Sequence, residues 1–143
     1  MKAGYEEKFM EIQGELVSLC MEAVEGFDVK KIFMYEFMSE GGNAYNAFCE
    51  VGGEPKFLNE MGVDKKNVRT LLHAGTVEMM DKIRKLCKEF EATRPTEIKA
   101  VYDVETGGFE MNCEYDAIDV CSAEALEIWM DEINAAKAAG TQA

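Results

Sequence analysis

A chain of 143 residues that is 48% hydrophobic, with only two prolines, can bury one domain-sized core and is too apolar for general disorder. Its 28 Asp and Glu against 15 Lys and Arg leave a formal net charge of −13. That surface repels phosphate backbones and anionic bilayers, which argues against direct nucleic-acid or membrane binding and favours a basic protein partner.

Residues 5–26 read as a helix. Phe9, Ile12, Leu16, Leu19 and Ala23 recur at spacings of three and four and share one face, which Met10, Val17, Cys20 and Val24 widen. Glu6, Glu7, Glu11 and Glu15 fall on or near the opposite face, and Gly26 is the stop. The period changes at Lys31. Residues 31–38, KIFMYEFM, are rich in aromatic and branched side chains and suit a strand. Gly41, Gly42 and Asn43 supply a turn, residues 44–51 a second strand, Gly52 and Gly53 another turn, and residues 56–58 a short third strand. Both faces of the first strand are apolar, with Ile32, Met34 and Met38 on one and Phe33, Tyr35 and Phe37 on the other. Such a strand belongs to a sheet covered on both sides, or else it presents an aromatic patch to a partner.

A second helix opens at Asp64, a candidate N-cap, and carries Val68, Leu71, Leu72, Val77, Met80, Ile83, Leu86 and Phe90 at helical spacing. Gly75 inside it is expected to weaken the helix by about 1 kcal/mol relative to alanine. Lys82, Lys85 and Lys88 suit the negative end of the helix dipole, and Pro95 marks the exit. A hairpin follows. Ile98, Ala100, Tyr102 and Val104 alternate with Lys99, Val101 and Asp103; residues 106–108 turn the chain; Phe109, Met111, Cys113 and Tyr115 then alternate with Glu110, Asn112 and Glu114. The second alternation predicts one buried and one polar face. Ser122 is a candidate N-cap for a last helix whose stripe is Leu126, Trp129, Met130 and Ile133, with fraying expected after about residue 137. The order α-β-β-β-α-β-β-α, with short hairpin links, predicts an α+β fold: one domain spanning residues 1–143, with an antiparallel sheet of about five strands and three helices.

The residue types that carry catalysis or bind cofactors are poorly arranged. The one histidine, His73, sits within a helix with no nearby nucleophile. Cys20, Cys49, Cys87, Cys113 and Cys121 are widely spaced with no CxxC pair, so they read as reduced thiols rather than zinc ligands. Each glycine pair stands alone between strands, outside any phosphate-binding motif. No metal and no cofactor is expected. The first residues lack an apolar signal-peptide core, and no apolar run nears the roughly 20 residues a bilayer span needs, so a cytoplasmic chain is expected.

The charge layout is more informative. Residues 100–136 contain ten acids and no lysine or arginine: Asp103, Glu105, Glu110, Glu114, Asp116, Asp119, Glu124, Glu127, Asp131 and Glu132. A charge run is ordinarily a solvated face. A single sign sustained over this length instead favours a docking surface for a basic protein. Strand alternation puts Glu110 and Glu114 on one face, with Asp103 across the hairpin and Asp116 and Asp119 following in the same run. These five are the candidate partner-binding residues.

Four segments together resemble the YezG-like antitoxin family, small acidic immunity proteins associated with polymorphic secreted toxins. They are the opening helix through residues 12–24, the meander KIFMYEFMSEGGNAYNAFCEV, the helix through residues 71–90, and the hairpin PTEIKAVYDVETGGFEMNCEYD. The resemblance covers most of the chain and implies a non-enzymatic protein that neutralises a cognate toxin by binding it, in several such systems a nuclease. The C-terminal run CSAEALEIWMDEI departs from the aromatic, basic ending of that pattern. Two other function classes stand beside it: an adaptor or secretion chaperone for another protein, and a small acid–base or metal-dependent hydrolase using Asp103, Glu110 and Glu114.

Overall fold

A computed structural model describes residues 4–39, 42–116 and 122–142. The chain forms α1 (Tyr5–Ala23), β1 (Lys31–Ser39), β2 (Gly42–Val51), β3 (Glu54–Phe57), the one-turn α2 (Leu58–Met61), α3 (Lys65–His73), a π-helical turn (Ala74–Met79), α4 (Met80–Glu89), β4 (Glu97–Asp103), β5 (Phe109–Glu114) and α5 (Ser122–Gln142). All strand pairings are antiparallel, and the order across the sheet is β3-β2-β1-β4-β5. The architecture is the α+β sheet predicted from the pattern, with α2 as an additional short helix. α5 runs from Ser122 to Gln142.

The central place of β1 explains its two apolar faces. Ile32, Met34 and Met38 join Tyr45, Ala47, Cys49, Ile98 and Ala100 beneath α1 and the α3–α4 helix, meeting Phe9, Leu16, Leu71, Met80 and Ile83. On the other face Phe33, Tyr35 and Phe48 meet Ala125, Leu126 and Trp129 of α5. The Trp129 ring stands edge-on to Phe48 at 5.3 Å and to Phe33 at 5.8 Å between centroids, a favoured aromatic geometry. The aromatic face is therefore covered by the chain itself and is not an open patch.

Local chemistry sets the boundaries. Gly52 and Gly53 both have positive φ, at 61° and 85°, which is the two-residue turn that matches strand twist. It pairs Val51 with Glu54, so β3 begins at Glu54, two residues before the expected start. Asp64 caps α3 as expected, its Oδ1 accepting the Lys66 N–H at 2.8 Å. Gly75 has a different role from the one its helix propensity suggests. It lies buried in the π-helical turn against Tyr45, and a Cβ built there would fall 2.2 Å from the ring. The close approach of helix and sheet requires glycine at this point.

One polar pair lies inside the larger core. Gln13 Nε2 donates to Glu36 Oε1 at 3.0 Å, and both residues are fully buried. Among the described residues, Gln13 Oε1 and Glu36 Oε2 have no partner. Burial pushes the Glu36 carboxyl up to about 8, against a smaller opposing effect of the Gln13 hydrogen bond. The four cysteines described are free, with Cys20, Cys49 and Cys87 buried.

Candidate partner-binding surface

The β4–β5 register places the predicted acids. Val101 pairs with Glu110, Lys99 with Asn112 and Glu97 with Glu114. Alternation then puts Glu97, Lys99, Val101, Glu110, Asn112 and Glu114 on the face that α5 covers in part. Glu110 and Glu114 are exposed, as the polar half of the alternation predicts. Between α5 and β5 runs a groove of about 540 Å³ lined by Lys99, Val101, Glu110, Met111, Asn112, Trp129 and Glu132.

The charge of that groove is not cancelled from within. Lys99 is the cation of its lining, and it is already engaged: its Nζ lies 3.9 Å from Glu97 Oε1 and 6.0 Å from the centre of the Trp129 ring. Glu97 is buried, and its Oε2 accepts the Tyr35 hydroxyl at 2.5 Å. Burial, with the Glu97 carboxylate second, holds the Tyr35 hydroxyl well above the usual phenol range. Among the described residues, neither Glu110 nor Glu114 forms an ion pair.

The remaining predicted residues separate. Asp103 ends β4 and ties the hairpin turn, its Oδ1 accepting the N–H groups of Glu105 and Thr106 at 3.0 and 3.1 Å. Replacing Asp103 with alanine should therefore cost about 1 kcal/mol in chemical denaturation, the net value of such hydrogen bonds. Glu105 pairs with Lys30 at 2.7 Å, an exposed pair of small energetic weight. Asp116 is exposed just past β5, where its backbone carbonyl accepts the Thr96 hydroxyl at 2.6 Å. Asp119 lies outside the described residues. The four described acids thus spread along the hairpin. Glu110 and Glu114, four residues apart on one strand, are separated by about 13 Å, and Asp103 and Asp116 lie at opposite ends of the hairpin. That spacing suits a linear ligand better than a carboxylate pair closing on one substrate atom.

The opposite face of β5 carries a feature that sequence periodicity missed. Tyr5, Glu6, Phe9 and Met10 of α1 border a mostly apolar groove of about 310 Å³ together with Met111, Cys113 and Tyr115. Met10 and Tyr115 on its rim are 43% and 53% exposed. Burial raises the Cys113 thiol above its usual range. In the sequence, Met10 marks only the margin of the α1 stripe; its meeting with β5 is tertiary.

Among the described residues, no three His, Cys, Asp or Glu side chains assemble into a metal-binding group, and no helix is long and apolar enough to cross a membrane. No protein-family model matches the chain, and no curated protein matches it at a significant level.

Proposed function

We propose that this chain is an immunity protein that binds a cognate basic toxin, such as a nuclease, through the acidic face of its β4–β5 hairpin, without catalysing a reaction. The observation that carries the reading is the uncompensated charge of that face. Ten acids and no lysine or arginine occupy residues 100–136, and Glu110 and Glu114 stand exposed on one strand face without an ion-pair partner among the described residues. A nuclease needs a basic surface to hold its substrate, and a negative stripe competes for that surface. The resemblance to YezG-like antitoxins points the same way.

The test is co-expression with the product of the adjacent gene. Growth should be restored by the parent chain and lost with the double substitution Glu110→Lys and Glu114→Lys. In purified form the double variant should bind at least tenfold more weakly, equivalent to about 1.4 kcal/mol, with a reduced dependence on salt. Unchanged affinity would remove the acidic face from the interaction. Binding without protection of growth would move the chain to the adaptor or chaperone class.

A further inference from the structure

We propose that β5 is a docking edge to which the partner adds a β-strand, with basic side chains alternating over Glu110 and Glu114 and apolar side chains entering the groove beside α1. This rests on the reading of a basic protein partner and specifies how that partner is held.

Main-chain geometry comes first. β5 is an outer strand of the sheet and, among the described residues, pairs only with β4. The Asp103 N–H donates to the Gly108 carbonyl at 2.8 Å. This fixes the phase of the ladder. Residues 108, 110 and 112 exchange hydrogen bonds with β4, so residues 109, 111 and 113 direct their N–H and C=O groups toward the open edge. Six residues of strand without proline are offered there. The opposite edge differs: β3 has four residues, contains Pro55, and runs straight into α2. Proline and shortness are two of the devices that blunt an edge, and β5 has neither; the charges it does carry, on Glu110 and Glu114, repel acidic strands and admit basic ones.

Side-chain chemistry then selects the occupant. An added strand continues the alternation of β5. Its side chains on one face would lie beside Glu110, Asn112 and Glu114, and those on the other beside Met111, Cys113, Met10 and Tyr115. A second copy of this chain is a poor occupant. Pairing β5 with β5 while keeping the apolar faces together brings the glutamates of both copies onto one face, and like charges across strands are destabilising. A strand alternating lysine or arginine with valine-like residues meets both faces favourably. Main-chain bonds would supply affinity and the two faces specificity.

The experiment uses two capped peptides of identical composition, Lys-Val-Lys-Val-Lys-Val-Lys and Lys-Lys-Lys-Lys-Val-Val-Val, titrated into the isotope-labelled full chain. The alternating peptide should bind at least tenfold more tightly. It should shift the amide resonances of Phe109, Met111 and Cys113 and slow their hydrogen exchange. Affinity should fall at least tenfold with Glu110→Lys and Glu114→Lys, and severalfold with Met10→Ser on the groove rim, a second variant that leaves the charges in place. Equal binding of the two peptides, or amide changes confined to other strands, would overturn the proposal. So would a sedimentation result showing that copies of the chain already pair through β5. If the toxin binds and growth is protected while the peptides bind equally, strand addition fails and the immunity reading stands. If the alternating peptide pairs with β5 but the adjacent gene's product does not bind, the docking edge stands and the immunity reading fails.

Discussion

Replacing Gly75 with alanine is expected to destabilise the fold by about 3 kcal/mol, the upper part of the usual overpacking range. On helix propensity alone the same change would stabilise by about 1 kcal/mol, so the sign separates the two effects. The added methyl would fall 2.2 Å from Tyr45 Cδ2 and 2.4 Å from Cγ, and it meets the base of the ring rather than a movable tip. Tyr45 has little room to yield. It is buried in β2, and its hydroxyl lies 3.0 Å from the Cys20 Sγ in α1. Retreat of the ring would separate the helix from the sheet and break that contact. Urea denaturation of the single variant, of Tyr45→Ala and of the double variant completes the test. In the Tyr45→Ala background the alanine should be neutral or stabilising. A single variant as stable as the parent would show that the ring does not hold this turn.

The second large effect concerns Glu36 and pH. Its carboxyl is pushed up to about 8 in the fold by burial and returns to the ordinary 4.5 when the chain unfolds. Between these values the folded chain binds a proton that the unfolded chain has released. Stability is therefore complete below pH 4.5 and declines as pH rises toward 8, at up to about 1.4 kcal/mol per unit. The accumulated loss is on the order of 4 kcal/mol. Protonation also supplies what the pair with Gln13 lacks: a donor on Glu36, where Glu36 Oε2 and Gln13 Oε1 have no partner among the described residues. Glu36→Gln keeps the shape, provides that donor at every pH and removes the titration. Its denaturation free energy should exceed the parent's at pH 8 and converge with it near pH 5. Parallel pH profiles for the two proteins would show that Glu36 is ionised in the fold.

The legible parts of the sequence were those governed by a single period. The two apolar faces of residues 31–38 pointed to a sheet covered on both sides or to an aromatic patch, and β1 lies between β2 and β4 with both faces covered. The alternation after Gly108 placed Glu110 and Glu114 together before any register was known. Where two interactions compete, one-dimensional reading gives out. Glu36 shares a face with Ile32, Met34 and Met38, yet a polar residue within a strand passes for a solvated position until α1 is seen to cover it with Gln13. Gly75 reads as a weak helix residue because nothing near it in sequence announces Tyr45, thirty positions earlier on another element. Asp103 counts as one more acid of the run, although the following Val-Glu-Thr-Gly-Gly makes it a turn residue whose carboxylate is occupied locally. The groove beside α1 leaves no periodic trace, since it forms where a helix rim meets an edge strand.

The placement of α5 has a consequence for biosynthesis. Phe33, Tyr35 and Phe48 are shielded by Ala125, Leu126 and Trp129, which a ribosome adds only after the whole five-stranded sheet has been translated. Until those residues are made, Phe33, Tyr35 and Phe48 lack that cover, and an uncovered aromatic face is able to stick to any neighbour with similar character. Synthesis stalled or clipped before Trp129 would leave that surface bare permanently, so truncated copies should be cleared by quality control rather than accumulate as smaller soluble forms.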